Sequence, residues 1–221
     1  MNIQLLHLFH LVSPALPIGA YAYSQGLEFA IDSAMIEGVD ELEDWLISVL
    51  NYGVGRLDAP VMLRCYEAWQ SKDLSTLEYW NNFSLANRET AELLLEDQQL
   101  GMALQRLLGS LDVAQAQQNF SQSPCFALQF ALACQYWKID RSQATQGLLW
   151  SWLENQVAAA TKIVPLGQTQ SQQILHRLLR YIPGIAEHAL SLPDEGIGFS
   201  LPGLAMSSAK HERQYSRLFR S

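Results

Sequence analysis

The chain has 221 residues, 49% of them hydrophobic and 16% charged, enough apolar material for a substantial core and no bias toward disorder. A formal net charge of −8 and a pI near 5.0 exclude nucleic acid as the main partner, because phosphate binding needs an extended cationic face. Cys65, Cys125 and Cys134 form no C-x-x-C pair and read as reduced, buried thiols.

At the start, LLHLFHLV followed by Ala20–Ala22 superficially copies a secretory signal with a small-residue cleavage site. No Lys or Arg precedes Arg56, so the positive n-region is missing. No apolar run approaches the roughly eighteen residues of a transmembrane helix. The expectation is a soluble, cytoplasmic protein.

Residues 3–12 space Leu5, Leu8, Phe9 and Val12 three and four apart, predicting one inward face of a short helix. SPALPIG (13–19) ends it through Pro14 and Pro17, and a second helix is expected from near Ser24 to about Ala34. Asp40 with Glu43 reads as a capping-box variant, opening a helix with Leu42, Trp45, Leu46, Val49 and Leu50 inward. Asp58 before Pro60 predicts a further start. Residues 74–86 and 88–109 predict two helices, the second striped by Leu93, Leu100, Leu104, Leu107 and Leu108.

The Ser/Gln/Asn-rich stretch 115–123 reads as a loop. Ser123-Pro124 then predicts a cap with proline in the first helical position, on a helix lined by Phe126, Phe130, Cys134 and Trp137 and ending near Lys138. Another helix should run from about Asp140 to Val164, closed by Pro165 and Gly167. Residues 168–182 follow, stopping at Pro183-Gly184, and then 185–192. Three glycines and two prolines in 193–206 predict an irregular linker. No segment shows bounded period-two alternation. The predicted fold is all-α: a single domain of about eight to ten helices over 1–206, then a detachable basic segment at 207–221.

That last segment contains KHERQYSRLFRS (210–221), in which Lys210, Arg213, Arg217 and Arg220 oppose only Glu212. It also carries Tyr215, Leu218 and Phe219, apolar groups that need a cover. Alone it is expected to stay mobile.

Chemistry-bearing patterns are sparse. His7 and His10, at i and i+3, could present two imidazoles to one metal, or be polar positions on a helix with an apolar face; no third ligand supports the first reading. His176, His188 and His211 stand singly and read as surface or capping residues. A G-x-S-x-G turn, a papain-like cysteine context and a P-loop are absent. GIG (196–198) falls in the predicted linker. Nothing in the sequence reads as an active site.

Three stretches exceed what generic helix packing requires. SPALPIGAYAYSQGLE (13–28) sets prolines, glycines and tyrosines around a helix break. NQVAAATKIVPLGQTQSQQ (155–173) has a small-residue run at Ala158–Ala160, a single cation, Lys162, and a turn at PLGQ where Gln168 can cap preceding carbonyls. The third is the terminal segment.

Together these stretches resemble the urease accessory protein UreF family, on SPxLPxGxYxYSxGLE, NQVxAAxKxVPLGQ and HExQYSRLFRS. Weaker agreement lies at Trp45-Leu46, at DxP (58–60) and at RETAELLLEDQQLG (88–101). Ala34, Ser171, Ala205 and Arg213 depart from the family pattern.

The resemblance implies an all-helical homodimer that is not an enzyme. It would assemble with UreD (also called UreH) and the GTPase UreG on apo-urease, with nickel as cargo and no tightly bound cofactor. No membrane or nucleic-acid partner is implied. The implied partner-binding residues are Tyr21, Tyr23, Ser24, Glu28, Lys162 and Gln168, together with His211, Glu212, Gln214, Tyr215, Ser216, Arg217, Leu218, Phe219 and Arg220. The last group would order on UreD. Glu28 and Lys162 would meet UreG, the alternative being that Glu28 caps or pairs inside its own subunit. A rival function is a helical nickel carrier using His7 and His10.

Overall fold

A computed structural model describes residues 3–164, 166–198 and 200–221, and among them it contains helices, turns and connections but no strand. The helices are α1 (Ile3–Leu11), α2 (Leu27–Asp32), α3 (Val39–Ser48), α4 (Asp58–Ser71), α5 (Leu74–Ala86), α6 (Ala91–Ser110), α7 (Phe126–Tyr136), α8 (Arg141–Ile163), α9 (Gln168–Leu179), α10 (Ile182–Ser191) and α11 (Pro202–His211). A π-helical turn, Val49–Val54, extends α3.

The core lies where α4 packs on α7. Residues 127–134 of α7 are buried without a break, all apolar but Gln129, so this helix sits inside the molecule. On α4, Val61, Met62, Leu63, Cys65 and Trp69 are buried, and Trp69 Nε1 donates to Leu128 O at 3.1 Å. Helices α5, α6, α8 and α10 pack around this pair. Gly101 lets α6 close on the entry to α7, where a Cβ would stand 1.9 Å from Pro124 O. Burial pushes the Cys125 thiol up to about 12 and holds Cys65 and Cys134 well above the ordinary thiol value. All three cysteines are free and buried.

Several boundaries differ from the sequence reading. Asp40 lies inside the first turn of α3 behind Gly38, with no side-chain cap. Cys125 rather than Ser123 precedes α7, whose first amide is taken by Asp97. The predicted helix over 168–182 ends at Leu179, and Pro183 sits in the first turn of α10, where its missing N–H costs nothing. Of the predicted stops for α8, Gly167 precedes α9, while Pro165 lies outside the described residues. On α1 the buried face is Leu8 and Leu11, with Leu5 and Phe9 exposed. Gly147 on α8 explains the rotation: a Cβ there would meet Leu8 Cδ1 at 2.7 Å, so α1 seats its Leu8 edge against that glycine.

The largest correction concerns the end of the chain. The irregular linker expected over 193–206 contains a 3-10 turn, Asp194–Gly196, and then α11, whose first turn accepts Pro202 for the same reason. The segment expected to be mobile folds back onto α2 and α6, with Phe219 and Ser221 buried. The basic tail is therefore part of the globule.

Candidate functional site

The site forms where the terminal segment meets α2, α6 and α8. Its path begins in the helix break. Gln25 and Gly26 take left-handed backbone angles, φ 54° and 76°, turning the chain sharply into α2. At Gly26 a Cβ would lie 2.7 Å from Ser208 N, so only glycine admits both this backbone and the approach of α11. Glu28 then stands in the first turn of α2, where a carboxylate also complements the helix dipole.

Glu28 is 4% exposed and fully occupied. Its Oε1 accepts from Leu218 N at 2.7 Å, its Oε2 from Phe219 N at 3.0 Å, and His211 Nε2 lies 3.1 Å from Oε2. The other ring nitrogen of His211 lies 2.7 Å from Glu92 Oε2, and Glu92 Oε1 accepts from Arg217 Nη1 at 2.6 Å. One turn along α6, Glu96 accepts from Gln25 Nε2 and Ser221 Oγ, each at 2.7 Å. Gln25 in turn accepts from Trp152 Nε1 of α8. Ser24 donates from N and Oγ to Ser221 O, and Arg220 N donates to Ala22 O. Thr90 and Ser208 hydroxyls meet at 2.7 Å, pinning α11 to the start of α6.

Burial dominates the chemistry. The Glu96 carboxyl is pushed up to about 7 by desolvation, with the Ser221 and Gln25 hydrogen bonds opposing the shift. Next to it, Asp97 accepts from Arg88 Nε and Phe126 N, and Arg88 also reaches Asp58. A cavity of about 210 Å³ opens beside the network, walled by Tyr21, Trp152, Leu93 and Leu100 with Glu96 at its side. Among the described residues, no group of three or more His, Cys, Asp or Glu side chains converges as a metal cluster. His7 stacks on Trp137 at 4.9 Å.

The sequence-predicted residues divide sharply. Tyr23, Ser24, Glu28, His211 and Phe219 are buried, so they hold the junction together and have no surface to offer. Tyr21 at 67%, Tyr215 fully and Leu218 at 71% are exposed. Glu212, Ser216 and Arg220 face solvent as well, and Gln214 is half-buried. Arg217, partly exposed, is tied to Glu92. Lys162 Nζ stands 5.8 Å from the Tyr21 ring centre and 5.4 Å from that of Phe219, joining the second stretch to the first and third by cation–π contacts. Gln168 opens α9 in solvent with no side-chain cap and stands outside the junction.

Reading the sequence missed Gln25, Glu92, Glu96, Ser208 and Ser221. A signal for two of them was present: Glu96 interrupts the apolar stripe of α6 between Leu93 and Leu100, and Glu92 lies four residues before it. An acid on an inward stripe calls for a buried partner.

The model of the UreF family matches residues 36–179. The chain is 59% identical to the urease accessory protein UreF of Teredinibacter turnerae over all 221 residues of both chains. It is 47% identical to the protein of the same name from Hahella chejuensis, covering 99% of each chain. With that of Chromohalobacter salexigens the identity is 46%, over 99% of this chain and 95% of the relative. With a folded junction built from the very stretches that carry the resemblance, and relatives matched end to end, the chain belongs to the UreF family of urease accessory proteins.

Proposed function

We propose that this chain is a non-catalytic assembly chaperone that joins UreD (UreH) and the GTPase UreG on apo-urease in the cytoplasm and supports nickel insertion. It works as a homodimer, with nickel as cargo rather than resident cofactor. Membership of an accessory-protein family supports the non-enzymatic role. Among the described residues, no helix is long and apolar enough to cross a membrane.

The observation that carries the reading is the docked tail. Phe219 and the two amides on Glu28 fix the segment, leaving Tyr215 and Leu218 projecting beside the cations Arg213 and Arg220. Aromatic and aliphatic groups ringed by charge are the usual anchors of an interface. Because the segment is folded beforehand, its ordering cost falls on folding and not on association. In this arrangement UreD covers Tyr215 and Leu218. UreG meets the neighbouring face of Tyr21 and Lys162, and Glu28 acts indirectly by holding that face in place.

The test is a Tyr215→Ala/Leu218→Ala double variant. Both side chains point into solvent, so the fold is expected to be unchanged by circular dichroism. UreD binding is expected to weaken at least about tenfold, from two lost anchors of roughly 1 kcal/mol or more each. Wild-type affinity would reject the docked tail as the binding surface. Equilibrium dialysis against nickel(II) separates the carrier alternative: stoichiometric retention at micromolar metal, lost in His7→Ala/His10→Ala, would favour it.

A further inference from the structure

His211 occupies a place that a neutral histidine does not fit. Its side chain is fully buried, and each ring nitrogen faces a different carboxylate. Nε2 stands 3.1 Å from Glu28 Oε2, and Nδ1 stands 2.7 Å from Glu92 Oε2. A neutral imidazole has one N–H and one bare lone pair, so one of these contacts would set a lone pair against an acceptor. The glutamates are poor places for the missing proton. Both Glu28 oxygens already accept backbone amides, from Leu218 and Phe219, and Glu92 accepts from Arg217, contacts that an ionised carboxylate makes best. The extra proton belongs on the ring.

The charges around the ring agree. From α2 it meets Glu28, while the other acid of that helix, Asp32, is exposed. From α6 it meets Glu92, with Glu96 one turn further on, and the terminal segment brings Arg217 to Glu92. Lys162 of α8 reaches the junction at the Phe219 ring. Lys210, Glu212 and Arg213, beside His211 in the chain, are exposed. An imidazolium and Arg217 together balance Glu28 and Glu92 charge for charge. A neutral ring would leave one negative charge over in a buried site, which is costly.

We infer that His211 is a proton-operated latch: the terminal segment docks while the ring carries both protons and is released when it gives one up, whichever partner the segment meets. One proton can act on the whole segment because the same two glutamates hold it. Glu28 grips the backbone at Leu218 and Phe219, and Glu92 grips Arg217. Removing one N–H turns one of these carboxylates from the ring's partner into its repellent. A docked state that needs a bound proton is disfavoured as pH rises. Alkaline conditions therefore free Tyr215 and Leu218 from their fixed display.

Glu96 titrates near 7 in the same junction, so the full chain carrying Glu96→Gln serves as the background for the test. Ring-nitrogen NMR of His211, assigned by its loss in His211→Gln, is followed alongside amide exchange from roughly pH 6 to pH 9, the span in which a histidine changes charge and beyond. The doubly protonated fraction and the protection factors of Leu218 and Phe219 are expected to fall together, approaching about tenfold in protection per pH unit. Adding Glu92→Gln lets a side-chain amide donate to a bare Nδ1 while its oxygen still accepts from Arg217. In that variant the protection is expected to stay level across the range. A ring with one bare nitrogen while both amides remain protected in the background protein would overturn the latch. So would a pH-independent protection there, or an equal fall in Glu92→Gln.

Discussion

The α4–α7 core and the terminal junction are both buried, yet they are built from opposite materials. The core is aliphatic and aromatic, held by shape and volume, and many apolar sequences of the right size would fill it. The junction has one large apolar anchor, Phe219, and otherwise consists of carboxylates with directed donors: Glu28, Glu92 and Glu96 take amides, a histidine, an arginine, a serine and a glutamine. Hydrogen bonds of this kind contribute modestly when made and cost heavily when one partner is lost. Apolar packing thus supplies stability in bulk, whereas the junction specifies a single docking geometry. The long motifs that mark the family are largely two sides of one internal contact, because the glutamate of GLE holds the backbone of SRLF.

This contrast can be broken at its apolar end first. Phe130 is fully buried in α7, and Phe130→Ala is expected to destabilise the whole chain by about 3–5 kcal/mol, from lost transfer energy and a residual cavity. Urea unfolding followed by Trp fluorescence should shift in midpoint with the slope retained, and the tail amides should lose exchange protection in the same transition. Retained protection of Leu218 and Phe219 in the unfolded core would show that the junction stands by itself.

Glu28→Ala should do the converse. It leaves two backbone amides and one imidazole without their acceptor, a local cost of about 2–3 kcal/mol. Hydrogen exchange at Leu218 and Phe219 is expected to accelerate roughly 30- to 150-fold, while amides of α4 and α7 keep their wild-type rates. Uniform acceleration across the chain would mean that core and junction form one cooperative unit.

How much of each region could be read from the sequence follows from the same difference. Helix periodicity revealed α3, α6 and α7 because apolar side chains at fixed spacing need only a common interior. The start of α8 near Asp140 was legible, and the cap found there is local: Asp140 accepts from Ser142 N and Gln143 N, two and three residues away. The junction joins residue 28 to residue 219 and residue 92 to residue 211, and no local pattern encodes such pairings. Composition was also misleading there. A short stretch with four cations and one acid suggests disorder when counted alone, but Glu92 pairs with Arg217 and Glu28 and Glu96 take backbone amides and the Ser221 hydroxyl of the same stretch from elsewhere in the chain. Likewise Leu5 and Phe9 fit a helical stripe as well as Leu8 does, and only contact with Gly147 decides which edge of α1 turns inward.

The smallest expected effect sharpens the comparison most, because it is absent from an apolar core. Glu96 titrates near 7 in the folded protein, raised by burial from an ordinary 4.5. The native state therefore holds this proton through a pH range in which the unfolded chain has released it. Stability associated with Glu96 is fully present below about pH 4.5 and is lost as pH rises through about 7. Glu96→Gln cannot ionise, so its stability relative to wild type should improve as pH increases across that window, by about 1 kcal/mol or more between pH 5 and pH 8. Urea unfolding of both proteins at the two pH values measures the difference. The Ser221 and Gln25 hydrogen bonds favour the charged form and should persist on ionisation, so the desolvation cost should appear as quicker exchange at the end of the tail at the higher pH, beyond the intrinsic base-catalysed increase. A pH-independent gap between the two proteins would place the Glu96 proton elsewhere and leave the junction held by hydrogen bonds alone.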